Sequence, residues 1–318
     1  MSLVQHRASL LLLAHKYGEG SAGRVVEALR LNHNRAVAKA YVQTVTDAVA
    51  AVAMAKEEQW NYQVPLAAAV KTIGVGIDGT CLLMCHDGWL EAMVGTISLY
   101  DQTGERLHTI YMGATPEYGK KTFFKRMENE IAKVSAAFPT ALKVGVADGA
   151  KSNWPFLTQH TERQILDFYH AAEYLTIVAD AQLARDPKAR KQWLNDACKS
   201  LKHDPAGPQV LIAQMSAFSV ENKQPGPRDQ IKTALKYFQN KQHLMNYSEH
   251  LQQNLPLGSG VTEAACKTIV KQRLCCSGMK WKEAGAAVVL SWRALSHSSG
   301  RWKQFWSKID QYGFPVAA

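Results

Sequence analysis

The stretch KTIGVGID, residues 71–78, begins the part of the chain whose pattern decides the fold. Its isoleucines and valine alternate with glycines, and this period of two predicts a short buried strand. The runs EAMVGTISLYD (91–101) and ERLHTIYMG (105–113) continue the strand pattern, with turn-forming residues between them. We therefore predict an antiparallel meander of three strands.

The pattern then alternates between helix and strand. Apolar residues recur at helical spacing in KKTFFKRMENEIAKVSAAF (120–138), and ALKVGVADG (141–149) is again a strand, ending at Asp148. The next run (163–184) begins as a strand and becomes a helix near His170. Three antiparallel strands followed by helix, strand, helix and strand match the ribonuclease-H-like fold, an α/β mixed sheet whose first and fourth strands lie side by side.

We predict four segments along the chain. Residues 1–70 form an N-terminal helical segment, and residues 71–184 form the first part of the core. Residues 185–254 are polar, contain proline-rich breaks and predict an all-helical insertion. Residues 255–318 complete the core with helices.

The N-terminal segment contains a candidate DNA-reading element. Helical patterns over 21–31 and 35–55 are separated by an Asn-His-Asn turn, which gives helix-turn-helix proportions. Any pair of antiparallel helices has the same pattern, so a purely structural hairpin is the alternative.

The chain carries a formal net charge of +10, which is typical of proteins with polyanionic partners. Residues 256–318 hold nine Lys or Arg against three acids, together with four of the eight tryptophans. Cations interleaved with aromatic rings favour a surface that neutralises phosphates and stacks bases. A helical hairpin with Trp inward and Lys outward explains the same pattern, and the two interpretations are compatible.

Cysteine usage and the first residues indicate the compartment. The six cysteines form no CxxC pair, as expected in a reducing cytosol. The apolar stretch from Ala8 to Ala14 is short and is followed at once by His15 and Lys16, unlike a secretory signal. We expect a soluble, cytoplasmic protein with no membrane partner.

Three acidic residues are the candidates for chemistry. Asp78 and Asp148 end the first and fourth strands, so adjacent strands would bring them together, and Glu263 lies on a later helix. Carboxylates suit Mg²⁺ or Mn²⁺, and two such ions ~3.5–4 Å apart can activate a water or 3′-hydroxyl and stabilise the leaving oxygen. Each acid also has a structural explanation: both aspartates precede glycine in turn-like pairs, and a helix dipole favours a Glu near its start.

The helix that carries Glu263 is otherwise basic. Helical spacing places Cys266, Lys267 and Lys271 on the same side as Glu263, so these lysines could hold phosphates beside a metal-bound carboxylate. Lys267 could instead pair with Glu263. The predicted DNA contacts are Lys267, Lys271, Arg273, Lys280, Trp154 and Trp281, with the two tryptophans stacking on bases or, alternatively, belonging to the core.

Long stretches of this sequence resemble one enzyme family, the DDE transposases of bacterial insertion sequences of the ISKra type. The resemblance covers roughly residues 71–313. The motifs that carry it are GIDGTCLLM (76–84), EAMVGTISLYD (91–101), GERLHTIYMGATPEYGKKTF (104–123), ADGAKSNWPFL (147–157), LDFYHAAEYL (166–175), NLPLGSGVTEAACKTIVKQRLCCSGMKW (254–281) and GRWKQFWSKIDQYG (300–313).

The resemblance implies metal-dependent DNA cleavage and strand transfer at the ends of an insertion sequence, with Asp78, Asp148 and Glu263 as the metal-binding triad. Its partners would be double-stranded transposon ends and target DNA, bound by a homodimer or higher homo-oligomer in the bacterial nucleoid. Related Mutator-like transposases carry an Asp/Cys-x-x-His signature, which residues 167–170 match. This implies that His170 contacts a phosphate or assists proton transfer, a buried structural His being the alternative.

The sequence departs from the family at its start. Such transposases carry more DNA-binding sequence before the core, whereas about 70 residues precede it here. We expect either that residues 21–55 alone recognise the element's ends, or that the chain is a shortened copy, catalytically intact but poor at finding them. The rival functions are a nuclease of the same fold that cuts without joining, and a DNA-binding repressor derived from a truncated transposase.

Overall fold

The structure, a computed structural model, describes residues 3–56, 60–64, 69–150 and 152–312. Its centre is a five-stranded mixed sheet in the order β3-β2-β1-β4-β5. The first three strands are antiparallel neighbours, and β4 and β5 run parallel to β1, so the predicted α/β class and the pairing of the first and fourth strands are confirmed. The strands are β1 (Thr72–Met84), β2 (Gly88–Tyr100), β3 (Arg106–Ala114), β4 (Leu142–Ala147) and β5 (Arg163–Leu166).

Strand β1 is longer than its pattern predicted, and Asp78 does not end it. The strand continues to Met84 and forms a hairpin with β2, in which Asp78 pairs with Val94. From Thr80 to Met84 buried side chains alternate with more exposed ones, as in a regular strand. Strand β2 therefore stays hydrogen-bonded to β1 along the full length of β1. Asp78 instead lies just past the point where the pairing with β4 stops.

Helices cover both sides of the sheet. Helices α11 and α12 form one continuous rod, because the residues between them, Cys266–Lys271, are π-helical. The helices are α1 (Leu3–Glu19), α2 (Ala22–His33), α3 (Lys39–Lys56), α4 (Lys121–Ala137), α5 (Trp154–His160), α6 (Phe168–Gln182), α7 (Pro187–His203), α8 (Gly207–Glu221), α9 (Pro225–Lys241), α10 (Tyr247–Gln252), α11 (Gly260–Ala265), α12 (Gln272–Leu274), α13 (Glu283–His297) and α14 (Arg301–Tyr312).

The predicted helical hairpin near the N-terminus is present, but its turn lies later than expected. Helix α2 continues through Asn32 and His33 and ends at Asn34, whose φ of 47° is left-handed. Asparagine tolerates this conformation better than most residues, which explains why the helix ends there. The connection therefore spans residues 34–38. A DNA-reading role for this hairpin stays a prediction.

The main core lies between the sheet and helices that follow it. Helix α4 buries Phe123, Met127, Ile131 and Val134 against the strands, as its spacing predicted. The helices of residues 185–254 bury side chains in the same apolar cluster, so the helical insertion is continuous with the sheet core. Its members in that cluster include Leu201, Leu211, Met215, Ile231 and Phe238.

A second apolar core joins the two ends of the chain. Helices α1 to α3 pack against α13 and α14, and Trp292 and Trp306 are each only 1% exposed within this cluster. These two rings are therefore closed to bases, as the hairpin with inward tryptophans predicted. In the part of the chain that the structure describes, no helix is both long and apolar enough to cross a membrane.

Candidate active site

The parallel pairing of β1 with β4 brings two of the predicted acids to one edge of the sheet. Gly76 and Val146 are the last partners in this ladder, and Asp78 and Asp148 each lie two residues beyond them. The amide of Asn153, which is buried, donates a 3.3 Å hydrogen bond to the carbonyl oxygen of Ile77 and ties the loop after β4 to β1. The expected pairing of strands one and four is thus observed, and it ends two residues before each acid.

The electrostatics of Asp78 reflect this neighbourhood. Burial raises the pKa of Asp78 above its ordinary value, and hydrogen bonds from the Gly79 N–H and the Cys266 thiol act against that rise. The negative charge of Asp148 raises the pKa of Asp78 further. Asp148 itself accepts a 3.0 Å hydrogen bond from the backbone N–H of Ala150. The two carboxylates are therefore close enough to influence each other.

Helix α11, which carries Glu263, lies directly against the centre of the sheet. The hydroxyl oxygens of Thr262 and Thr96 are 2.7 Å apart and fix the helix to β2. A Cβ atom at Gly76 would lie 2.0 Å from the Thr262 hydroxyl, so only glycine permits this approach. Glu263, the residue next to Thr262, is thereby positioned near the segment of β1 that contains Asp78.

A thiol links the Glu263 helix to the first aspartate. The Cys266 Sγ donates a 3.3 Å hydrogen bond to Oδ2 of Asp78. Burial raises the pKa of the Cys266 thiol, and the charge of Asp78 raises it further, so the sulfur keeps its proton. Cys266 is the first residue of the π-helical segment, a distortion that is frequent at functional sites.

Ser259 holds Glu263 from the other side. Its hydroxyl oxygen lies 2.8 Å from Oε1 of Glu263 and 2.9 Å from Oδ2 of Asp167, whose carboxylate also accepts the Ser259 backbone N–H. Asp167 is fully buried and caps α6 by accepting the backbone N–H of His170 at 2.6 Å. The Asp167 carboxylate therefore joins the start of α6 to the start of α11.

His170 lies at the margin of this cluster with its side chain 34% exposed, which differs from the buried structural His of the alternative interpretation. Its Nδ1 atom is 3.2 Å from Oε2 of Glu173. The imidazole packs edge-on against Tyr174 and Tyr237, with ring centroids 5.8 and 6.1 Å away. One ring nitrogen is thus engaged on the helix while the imidazole remains accessible.

The three acids offer carboxylate oxygens, which a hard cation such as Mg²⁺ prefers. In this structure their side chains do not converge on one point. Within the described residues, no group of three or more His, Cys, Asp or Glu side chains could hold a metal ion. The Asp78 and Glu263 carboxylates are instead hydrogen-bonded by Cys266 and Ser259. The three carboxylates are oxygen ligands of the kind that Mg²⁺ takes, so the donor set fits this cation by chemistry.

Three of the predicted DNA-binding cations are accessible. Lys267, Lys271 and Lys280 are all exposed. The alternative pairing of Lys267 with Glu263 is not found among the ion pairs of the described residues. Glu263 hydrogen-bonds Ser259 instead. The lysines of the Glu263 helix thus present positive charge to solvent beside the acids.

Two other predicted DNA contacts are wrong. Arg273 is 3% exposed, donates to the Tyr17 carbonyl oxygen at 3.2 Å, and lies 5.0 Å from the Trp281 ring centroid. Trp154 is 9% exposed and is covered by the Lys241 ammonium, 5.3 Å from its ring centroid. Both side chains pack in the interior and contact other protein groups instead of solvent. Trp281 is half-buried against the Arg273 guanidinium.

Sequence reasoning missed several residues of the site. Helical spacing placed Cys266 beside Glu263, but no local signal connects its thiol with Asp78. Ser259 is of a residue type that is common at helix N-caps, and only the fold brings it to Asp167. Tyr237, on helix α9 of the insertion, had no signal at all. Burial raises its pKa, and the neighbouring Tyr174 and the charges of Asp148 and Asp167 add to the rise.

Comparison with known proteins does not identify a family for this chain. No protein-family model matches the chain, and no curated protein matches it either. The functional argument therefore depends on the residues and their arrangement.

Proposed function

We propose that this chain is a DDE transposase with a ribonuclease-H-like fold, which cleaves DNA at insertion-sequence ends and joins the freed ends to target DNA. The observation that carries the proposal is the register of β1 and β4, because it aligns Asp78 with Asp148 across adjacent parallel strands. The helix of Glu263 packs on β1 and on its other neighbour β2, through Cys266 and Thr262. These contacts support a site in which Asp78, Asp148 and Glu263, far apart in sequence, act together.

Asp78, Asp148 and Glu263 would hold the cation in this proposal. When bound, Mg²⁺ or Mn²⁺ supplies Lewis acidity to the scissile phosphodiester and its attacking oxygen, most effectively as two ions. The Cys266 thiol engages only Oδ2 of Asp78 and the Ser259 hydroxyl only Oε1 of Glu263, so each carboxylate keeps lone pairs for a cation. Because each of these donors is uncharged, a divalent cation competes with it favourably.

Other residues would bind and orient the DNA. Lys267 and Lys271 neutralise phosphates flanking the scissile bond, and their exposure beside the acids supports this role. His170 remains accessible enough to contact a phosphate or to move a proton. In the first reaction, a water oxygen attacks phosphorus and the bond to the 3′-oxygen breaks, which leaves a 3′-hydroxyl. That hydroxyl then attacks a target phosphodiester in line, with no covalent protein intermediate.

The test is a strand-transfer assay with pre-nicked inverted-repeat ends, a target plasmid and Mg²⁺. We expect joined products from the unaltered protein and none above background from Asp78→Asn, Asp148→Asn or Glu263→Gln, while DNA binding is largely retained. Glu128→Gln is the matched control, because Glu128 is exposed on α4 and lies outside the site. Joining at the unaltered rate by any of the three site variants would remove that residue from the triad.

The same assay separates the rival functions. A nuclease of this fold would cut intact ends with Mg²⁺ but yield no joined product from pre-nicked ends. A DNA-binding repressor would retard the same DNA in a gel without cutting it. Either result with the unaltered protein would overturn the proposed transposase activity.

A further inference from the structure

Tyr237 brings a hydroxyl group from the helical insertion to the acidic edge of the sheet. Its ring stacks on Tyr174 of α6, with centroids 3.9 Å apart and planes inclined by 14°. The hydroxyl oxygen lies against Gly149, where a Cβ atom would be only 2.9 Å from it. The side chain is therefore held next to the residue that follows Asp148.

This hydroxyl is buried and has no hydrogen-bond partner among the residues that the structure describes. The charged groups whose fields reach it are the carboxylates of Asp148, Asp167 and Glu173. Folded proteins pair nearly all buried polar atoms, so this donor beside the candidate active site has a hydrogen bond to give to a substrate atom. Phenylalanine would give the same ring stacking, so the stacking does not account for the hydroxyl.

We propose that the Tyr237 hydroxyl donates a hydrogen bond to a non-bridging oxygen of the phosphate that is cut or joined. This inference rests on the proposed function and deepens it, because it makes the insertion part of the substrate site. The hydroxyl would then stabilise the negative charge that develops on the phosphate oxygens during the reaction.

The test is Tyr237→Phe, which removes one oxygen and keeps the ring. We expect strand transfer to slow by roughly 100-fold, as for loss of one donor to developing charge, with the DNA dissociation constant changed less than about twofold. The denaturation midpoint should be unchanged or higher, because a buried unpaired hydroxyl is lost. The matched control is Tyr174→Phe, which removes the hydroxyl of the stacked neighbour and should leave the rate unchanged.

A substrate change isolates the contact itself. Replacing the scissile phosphate by a methylphosphonate removes one non-bridging oxygen, and the unaltered protein should join this end more slowly than the natural end. Tyr237→Phe should lose much of that discrimination, a coupling that a purely structural tyrosine would not produce. An active unaltered protein with an equally active Tyr237→Phe variant overturns this inference alone, whereas an inactive unaltered protein overturns the proposed function as well.

Discussion

The Sγ atom of Cys266 lies 3.3 Å from Oδ2 of Asp78, although 188 positions separate the two residues. This contact joins the helix of Glu263 to the strand that carries the first acid. It also engages one oxygen of a carboxylate that we assign to metal binding. The thiol is therefore both a structural link and a regulator of the charge on Asp78.

Replacing Cys266 by Ala should raise the pKa of Asp78, because the thiol hydrogen bond lowers it in the folded protein. A more basic carboxyl is protonated at higher pH, so the onset of Mg²⁺ binding should also move to higher pH. Carbon NMR of the Asp78 carboxyl during a pH titration measures this directly. Cys266→Ser is the control, since it keeps a donor and should not raise the Asp78 pKa. An unchanged titration in the alanine variant would mean that the thiol does not act on this carboxyl.

Asp78→Asn should alter how stability depends on pH. Because the folded pKa of Asp78 is raised above its ordinary value of 3.8, the folded state holds more protons than the unfolded state between the two values. The free energy of unfolding of the metal-free protein therefore falls as pH rises through that window. The asparagine variant lacks this loss and should be relatively more stable at neutral pH. Urea denaturation of both proteins across pH 3–8 tests the sign, and a parallel pair of curves would contradict it.

Gly76→Ala should destabilise the protein and displace the Glu263 helix. The new methyl group would lie 2.0 Å from the Thr262 hydroxyl and 2.8 Å from that of Thr96, and such overpacking typically costs about 1–3 kcal/mol. Gly285→Ala is the opposite control, because Gly285 is exposed in helix α13 and the nearest contact of the added atom would be the Trp281 ring at 3.8 Å, an ordinary van der Waals distance. That change should stabilise by about 0.4–1 kcal/mol. Chemical denaturation of the two variants should thus give shifts of opposite sign; equal shifts would exclude the close approach at Gly76.

Lys267→Ala and Lys271→Ala should each weaken DNA binding regardless of sequence. Every lost phosphate contact lowers the slope of log affinity against log salt by about one. Arg273→Ala should leave that slope unchanged and instead reduce the free energy of unfolding by about 1–3 kcal/mol, because the Tyr17 carbonyl oxygen loses its hydrogen-bond donor. Binding titrations over a range of salt, with denaturation curves for all three variants, distinguish these effects. A flattened slope for Arg273→Ala would instead mean that Arg273 contacts DNA phosphates.

Local pattern predicted much of the fold. The period of two in β1 to β4 and the helical spacing of α4 depend only on neighbouring residues, so the sheet, its helix and the order of the strands could be read directly. The adjacency of β1 and β4 came from matching that order of elements to the ribonuclease-H-like fold, and the structure confirms this pairing, with Asp78 and Asp148 just beyond its last partners. The length of β1 was missed, because it depends on how far β2 pairs with it.

The sequence by itself determined which residue types are present and at what spacing: strands, helices, three candidate acids and an excess of positive charge. Only the tertiary structure decided that Arg273 and Trp154 are buried, that Cys266 donates to Asp78, and that Tyr237 reaches Gly149. The physical reason is that helix and strand periodicity arises from backbone geometry over a few residues. Burial and hydrogen bonding between distant segments depend on how whole elements pack, which no local pattern encodes.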